Sequence, residues 1–238
     1  FQARTPDNYV PAALVEYATT TFGNKVSIVY ETDAAGIGQN EAAIAALKAK
    51  NIEPLSVDAF NIGDKDFTAQ IQHVQEAKPD VIFAFGLQQE AGLFMKQLRD
   101  TGVNTPIAGL ASYASKIAID LAGPASNNVF CLTDYVPSTP RPAGKVFAEE
   151  YKKRYNIDSD FTAAVEYDKF NLIMEAIKIA GSTDRTAIRD AMYKIQDFEG
   201  VGNIYSFDSK GIGGTGILLT QNIDGEAVAI KSIDGIKK

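Results

Sequence analysis

The chain predicts an α/β fold in which helices flank a parallel sheet. Three observations carry this. Short apolar runs alternate with segments of helical period along the first 135 residues. The connections between them are short, as in successive βα units. The runs themselves (KVSIVYE, DVIFAFG, NVFCLT) are almost continuously apolar, the pattern of strands buried on both faces.

Taken in order, residues 9–21 read as a helix with Val10, Leu14 and Tyr17 on one face, and 25–31 as a strand. A helix over 40–50 turns Ile44 and Leu47 inward, and 54–60 is a strand. Asp66 caps a helix over 67–77 that carries Phe67, Ile71 and Val74. Pro79-Asp80 ends it, and strand 80–86 follows. The helix over 90–102 stops at Gly102. PIAGL, a short helix at 115–122 and NVFCLT complete the alternation. Three prolines in YVPSTPRP (135–142) then break the rhythm and mark a domain crossing. Helices over 142–155, 162–180 and 184–195 come next, and the chain is β from about 203. Asp224-Gly225 is a hairpin turn signal.

Composition narrows the function. With 238 residues and 45% apolar content, the chain can bury one large or two ordinary cores. A net charge of −7 argues against nucleic acid and anionic membrane surfaces as partners. No apolar run approaches the ~20 residues that span a bilayer. Phe1 is a poor natural start, so any signal peptide would lie upstream. The single cysteine, Cys131, excludes an internal disulfide and reads as a buried strand residue. The single histidine, His73, leaves a zinc site or a Ser-His-Asp triad without members. It reads as a solvated residue on a polar helix face. Gly36-Ile37-Gly38 lacks the third glycine of a dinucleotide fingerprint, since Glu41 stands there. GIGGTG (211–216) leads into a strand, so no helix N-terminus would meet a phosphate. Glu149 and Glu150 point apart on a helix and form no dyad. No cofactor, metal or enzymatic chemistry is expected.

The most specific segment is FEGVGNIYSFDSKG (198–211). It closes a helix, turns on glycine, starts a strand and stops it at a turn. Phe198, Ile204 and Phe207 read as anchors, and Gly200, Gly202 and Gly211 as positions of positive φ or close approach. This run resembles the C-terminal end of type I periplasmic solute-binding proteins, in the branched-chain amino-acid (Leu/Ile/Val-binding) family of ABC-transporter receptors. KVSIVYETDAAGIG is similar to that family's strand followed by Y-G-x-G. Lys65-Asp66-Phe67 matches its K-D-F, PDVIFAFG its P-D-x-[VI] strand, and AAVEYDKFNLIMEAIKIAGSTD its Y-D helix. FQARTPDN looks like the segment that crosses from lobe 1 into lobe 2.

The resemblance implies two α/β lobes: residues 6–136 with 203–238 forming a complete lobe 2, and 1–5 with 137–202 a partial lobe 1. It implies that the chain begins in the family's middle, with about 100 residues of lobe 1, one domain's worth, outside it. A truncated or proteolysed form is favoured over a naturally short product. In the family that part holds the ligand's α-carboxylate. The implied function is an extracytoplasmic receptor, periplasmic or lipoprotein-anchored at the cell surface. It would bind an amino acid or related amphipathic molecule by lobe closure and deliver it to an ABC permease. The alternative is a ligand-sensing regulatory domain on the same scaffold. Helices 142–195 without their full sheet would expose Phe147, Tyr151, Phe170 and Met174, a surface for self-association.

Ligands of parallel α/β sheets bind beyond the carboxyl ends of the strands. That points to the loops TDAAGIG, GLQQE and LASYAS. Candidate ligand-binding residues are Asp7, Asp33, Ala35, Leu87, Gln88, Ala111, Ser112, Tyr113 and Glu166. Several mark departures from the family. Its Y-G-x-G tyrosine falls at Ala35, a second aromatic at Leu87, and the acid that pairs with a ligand ammonium at Ala111. Asp7 matches an acidic residue at the lobe crossing. A buried ammonium without a carboxylate is costly. The ligand is therefore expected to differ from a standard branched-chain amino acid, or to meet Asp7, Asp33 or groups outside this chain. Each candidate has a plainer reading: Asp33 as a helix cap, Gln88 and Gln89 as solvated helix-start residues, Tyr113 packed sideways, Glu166 on a solvated face. Tyr167 beside it reads as core.

Overall fold

The computed structural model describes residues 1–6, 9–214 and 216–234. It divides into two compact units, with the chain passing between them after residues 6, 132, 218 and 228.

Unit 2 spans residues 7–132 and 219–228. Helix α1 (Val10–Thr21) leads into strand β1 (Val26–Glu31), α2 (Ala34–Ala49), β2 (Ser56–Phe60), α3 (Thr68–Ala77), β3 (Val81–Phe85) and α4 (Gln88–Asp100). β4 (Ile107–Leu110), a 3₁₀ turn over Ala111–Ala114, α5 (Lys116–Ala122) and β5 (Val129–Thr133) follow. The sheet order is β2-β1-β3-β4-β5, continued by β8 (Gly216–Ile223) and β9 (Glu226–Asp234). β1 through β5 pair in parallel. All five carboxyl ends therefore reach one edge. β3 and β5 are buried at every position, as strands covered on both faces must be. The core gathers Phe60, Phe67, Ile82, Phe94, Ile107 and Cys131. At the far turn Asp224 (φ 49°) and Gly225 (φ 86°) both take left-handed backbone, which suits a type I′ hairpin.

Unit 1 holds residues 1–6, 133–218 and 229–238. Its helices are α6 (Pro142–Tyr155), α7 (Phe161–Ala180) and α8 (Arg185–Met192). β6 (Phe198–Glu199) pairs antiparallel with β7 (Ile204–Tyr205). Asp160 and Asp184 cap α7 and α8 through Ala163 N–H (2.8 Å) and Ala187 N–H (2.9 Å). The expected division placed 133–136 and 203–238 wholly in lobe 2. Instead 133–136, 203–218 and 229–238 belong to unit 1, and within it Tyr205 and Phe207 complete a core with Leu172, Ala176, Met192 and Ile195.

Two elements differ from the sequence expectation. α2 starts at Ala34, six residues before residue 40, because Asp33 caps it at the Gly36 N–H (2.6 Å). Asp66 does accept the Thr68 N–H (2.9 Å) at the start of α3, but from just outside the helix.

Candidate functional site

The parallel register brings the β1–α2, β2–α3, β3–α4 and β4–α5 loops to one edge of unit 2. Hydrogen bonds tie these loops together. Thr32 donates its N–H to Phe60 O (2.8 Å) and its hydroxyl to Asn61 Oδ1 (3.0 Å). Glu31, the last residue of β1, accepts the Leu87 N–H at 2.6 Å. Glu90, buried in the first turn of α4, accepts the Gly63 N–H at 2.9 Å. Gln97 of α4 ties the end of the same β2–α3 loop, accepting the Phe67 N–H (2.9 Å) and donating to Lys65 O (2.8 Å). Two buried glutamates thus hold three loops in one rim. Burial pushes the Glu31 carboxyl up, and the carboxylates of Glu90, Asp33 and Asp64 add to this against the Leu87 bond.

The candidates divide over this geometry. Ala35 and Leu87 stand exposed at the starts of α2 and α4, with Gln88 half-buried next to Leu87. Ser112 is half-buried in the 3₁₀ turn, and its carbonyl takes the Ser115 hydroxyl (2.7 Å). Asp33 is half-buried and caps α2, as its plainer reading has it. Ala111 and Tyr113 turn inward instead. Tyr113 is 0% exposed, its ring lying over Gly109, where an added Cβ would stand 2.8 Å from its Cγ. It offers a ligand no surface in this conformation. Glu166 lies in unit 1, exposed on α7 and paired with Lys169 at 2.5 Å. Asp7 lies outside the described residues. Sequence reasoning missed Glu31 and Glu90. The available signal was a charged residue ending an apolar strand, and another in the first turn of the helix after GLQQ.

Other chemistry finds little support. Among the described residues no three His, Cys, Asp or Glu side chains could hold a metal. His73 is exposed on α3, where Asp58 Oδ1 at 2.5 Å raises its affinity for a proton. Cys131 is fully buried, and burial pushes its thiol far up, so it is no nucleophile. No helix among the described residues is long and apolar enough to cross a membrane.

Comparison with known proteins decides the family. The model of the family described as periplasmic binding protein matches residues 2–225. The chain belongs to the periplasmic binding protein family. It is 28% identical over 163 residues to a Leu/Ile/Val-binding protein homolog 3 of Brucella melitensis, covering 68% of this chain and 44% of that one. It is 29% identical over 194 residues to the Leu/Ile/Val-binding protein BraC3 of Rhizobium johnstonii, covering 77% of this chain and 51% of that one. The chain thus spans about half the length of these curated relatives. Among solved structures, a leucine-binding protein of Thermotoga maritima aligns over 98% of this chain and 67% of its own, with TM-score 0.88 and 24% identity. A Rhodopseudomonas palustris solute-binding protein in complex with benzoate aligns over 99% and 65%, with TM-score 0.89 and 18% identity. These two show the fold.

The 198–211 run of this periplasmic binding protein has a physical explanation. Asp168 of α7, buried, accepts the Val201 N–H (2.7 Å), the Gly202 N–H (2.9 Å) and the Tyr205 hydroxyl (2.8 Å). An added Cβ at Gly200 would stand 2.5 Å from Asp168 Oδ2, so that glycine is a close approach. Gly211 has φ +76°, whereas Gly202 shows neither feature. On the same unit α6, α7 and residues 198–201 line an open groove of about 910 Å³ walled by Phe147, Tyr151, Tyr155 and Tyr167. Tyr167, expected in the core, is among its exposed aromatic residues. Phe170 (62% exposed) and Met174 (48%) extend the apolar face, as the sequence led one to expect.

Proposed function

We propose that the chain is part of an extracytoplasmic solute receptor of an ABC transporter. In this reading it binds an amino acid or a related amphipathic molecule at the loop edge of unit 2, and ligand binding favours a closed state that a membrane permease reads. The carrying observation is the rim of unit 2, where three loops at the carboxyl ends of parallel strands are cross-tied by two buried glutamates. Such an edge is preorganised, which lowers the ordering cost of binding. The names of the two curated relatives above, a Leu/Ile/Val-binding protein and a homolog of one, support the solute class.

The ligand need not be leucine. Alanine stands at 35 and 111, where the family resemblance puts an aromatic and an acid, and Asp33 is already engaged as a cap. The benzoate-bound relative of the same fold carries a ligand with no ammonium group. Titration calorimetry with L-leucine, on the chain and on Asp7→Ala and Asp33→Ala variants, tests this. Weak binding of leucine by the chain and by both variants is expected. Binding tighter than about 1 μM that survives both substitutions would contradict it.

A further inference from the structure

β2 is the edge strand of the sheet and pairs with β1 alone. Val57 and Ala59 stand exposed on one of its faces, while Ser56, Asp58 and Phe60 turn to the covered face. Two side chains of α3 tie the helix back to this strand. Gln70 donates its amide to Ala59 O (2.8 Å), and the His73 ring meets Asp58 through Nδ1 and Oδ1 at 2.5 Å. The second tie is ionic when the ring is protonated. The Asp58 side chain is 12% exposed and that of His73 56%, and Asp58 Oδ2 is buried with no partner. Among the described residues His73 is the one cation paired with this carboxylate. It is also the single histidine of the chain, the residue type whose ordinary titration lies near neutrality. The other charges around α3 are engaged elsewhere. On α3 itself Glu76 accepts from Gln72 (3.0 Å) and also favours a charged ring. On α4 Lys96 and Asp100 pair at 3.0 Å, Arg99 donates to Val103 O and Thr105 O, and Glu90 holds Gly63. On β1 Glu31 holds Leu87.

We propose that His73 and Asp58 form a proton-dependent clamp on the β2–α3 arm of unit 2. Charged, the ring holds α3 down on the edge strand and steadies the loop over 61–67 between them. Neutral, the ring can still donate from Nδ1 but brings no charge, and Asp58 is left largely buried without a counter-ion. The helix stays in place, because Phe67, Ile71 and Val74 remain in the core. The pair is open to water on the His73 side, so its loss loosens the arm locally and does not unfold it. The sign follows from linkage. Asp58, as hydrogen-bond partner and as a charge, raises the affinity of the ring for a proton. The clamp is therefore fully closed below the ordinary histidine value, about 6.5, and is lost as pH rises through the higher folded value. The loop it steadies carries Gly63 and ends at Phe67, the residues that Glu90 and Gln97 hold. Acidic surroundings thus order this part of the rim better. On the solute-receptor reading, on which this consequence rests, solute binding weakens as pH rises.

The test follows the ¹⁵N-labelled chain, without solute, across pH values on both sides of the ring's titration. The His73 ring signals give that titration. Exchange of the Leu55, Gly63 and Phe67 amides, corrected for the intrinsic pH dependence of exchange, reports the order of the arm. These amides donate to Val26 O, Glu90 and Gln97. Their protection is expected to fall about two- to fivefold as pH rises, with the same midpoint as the ring. His73→Gln, which keeps a neutral donor, is expected to remove that pH dependence. Asp58→Asn is expected to remove it too and to return the ring to its ordinary titration. If one variant does not fold by circular dichroism, the other carries the test. A wild-type ring that titrates at or below the ordinary value, or protection that changes with pH alike in the wild type and the variants, overturns the proposal. With no solute present, that result leaves the receptor reading standing, whereas failure of the receptor reading shows only when solutes are added.

Discussion

Glu31 shows how one side chain links the fold of this protein to its pH response. Burial is the main cause of its raised proton affinity, with neighbouring carboxylates adding to it. The sign follows from linkage. Between the ordinary glutamate value, about 4.3, and the higher folded value, the native chain keeps a proton that the unfolded chain has released. Stability therefore falls as pH rises through that window, and the loss is complete above the folded value. Glu31→Gln removes the titration, so its stability should depend less steeply on pH and gain on the wild type toward neutrality. Urea unfolding midpoints between pH 4.5 and 7 check this, and parallel curves for the two proteins would refute it. None of this was legible in the sequence. Glu31 looked like the polar end of a strand, and the Leu87 amide it holds lies 56 residues away. Strand ends pointed, by contrast, to the loops that carry Ala35 and Leu87, and the family resemblance singled out the two positions within them.

At the scale of elements, alternation and caps were the legible signals. Strands β1 to β5 and the helices between them follow from apolar runs and short loops, because a doubly covered parallel strand has little freedom in composition. The start of α2 did not follow. Gly36 and Gly38 read as loop, yet Gly36 sits in the first turn, where an added Cβ would meet Glu31 O at 2.3 Å. Its role is to let α2 approach β1. Helices α6 and α7 raise a different matter. Their outer faces carry Val146, Tyr155, Tyr167, Phe170, Ile173 and Met174, all exposed. Contiguous apolar surface of this kind drives association. The chain alone is expected to self-associate through this face, with apparent mass rising with concentration in sedimentation velocity. The Phe170→Glu, Met174→Glu double variant should stay monomeric while keeping its helical dichroism. A wild-type chain that is monomeric across the same range would count against this.

For the whole molecule, the family resemblance carried more than any motif taken alone. Six short segments in the right order pointed to periplasmic binding proteins, and the family match over residues 2–225 agrees. The division of the chain was less legible. Residues 203–218 read as part of lobe 2 because they are β, but the buried Asp168 and the Tyr205–Phe207 core hold them in unit 1. A carboxylate on one helix that satisfies two amides and a hydroxyl on a distant turn leaves no periodic trace. The central claim is that solute binds at the loop edge of unit 2. Hydrogen exchange of the backbone amides, with and without leucine, benzylamine and isopentylamine at saturating concentration, tests it most directly. At least one solute should slow exchange at residues 33–37, 86–90 and 111–115 and leave the α6–α7 groove unchanged. Exchange unaltered in those loops for every solute, or protection confined to the groove, would contradict it.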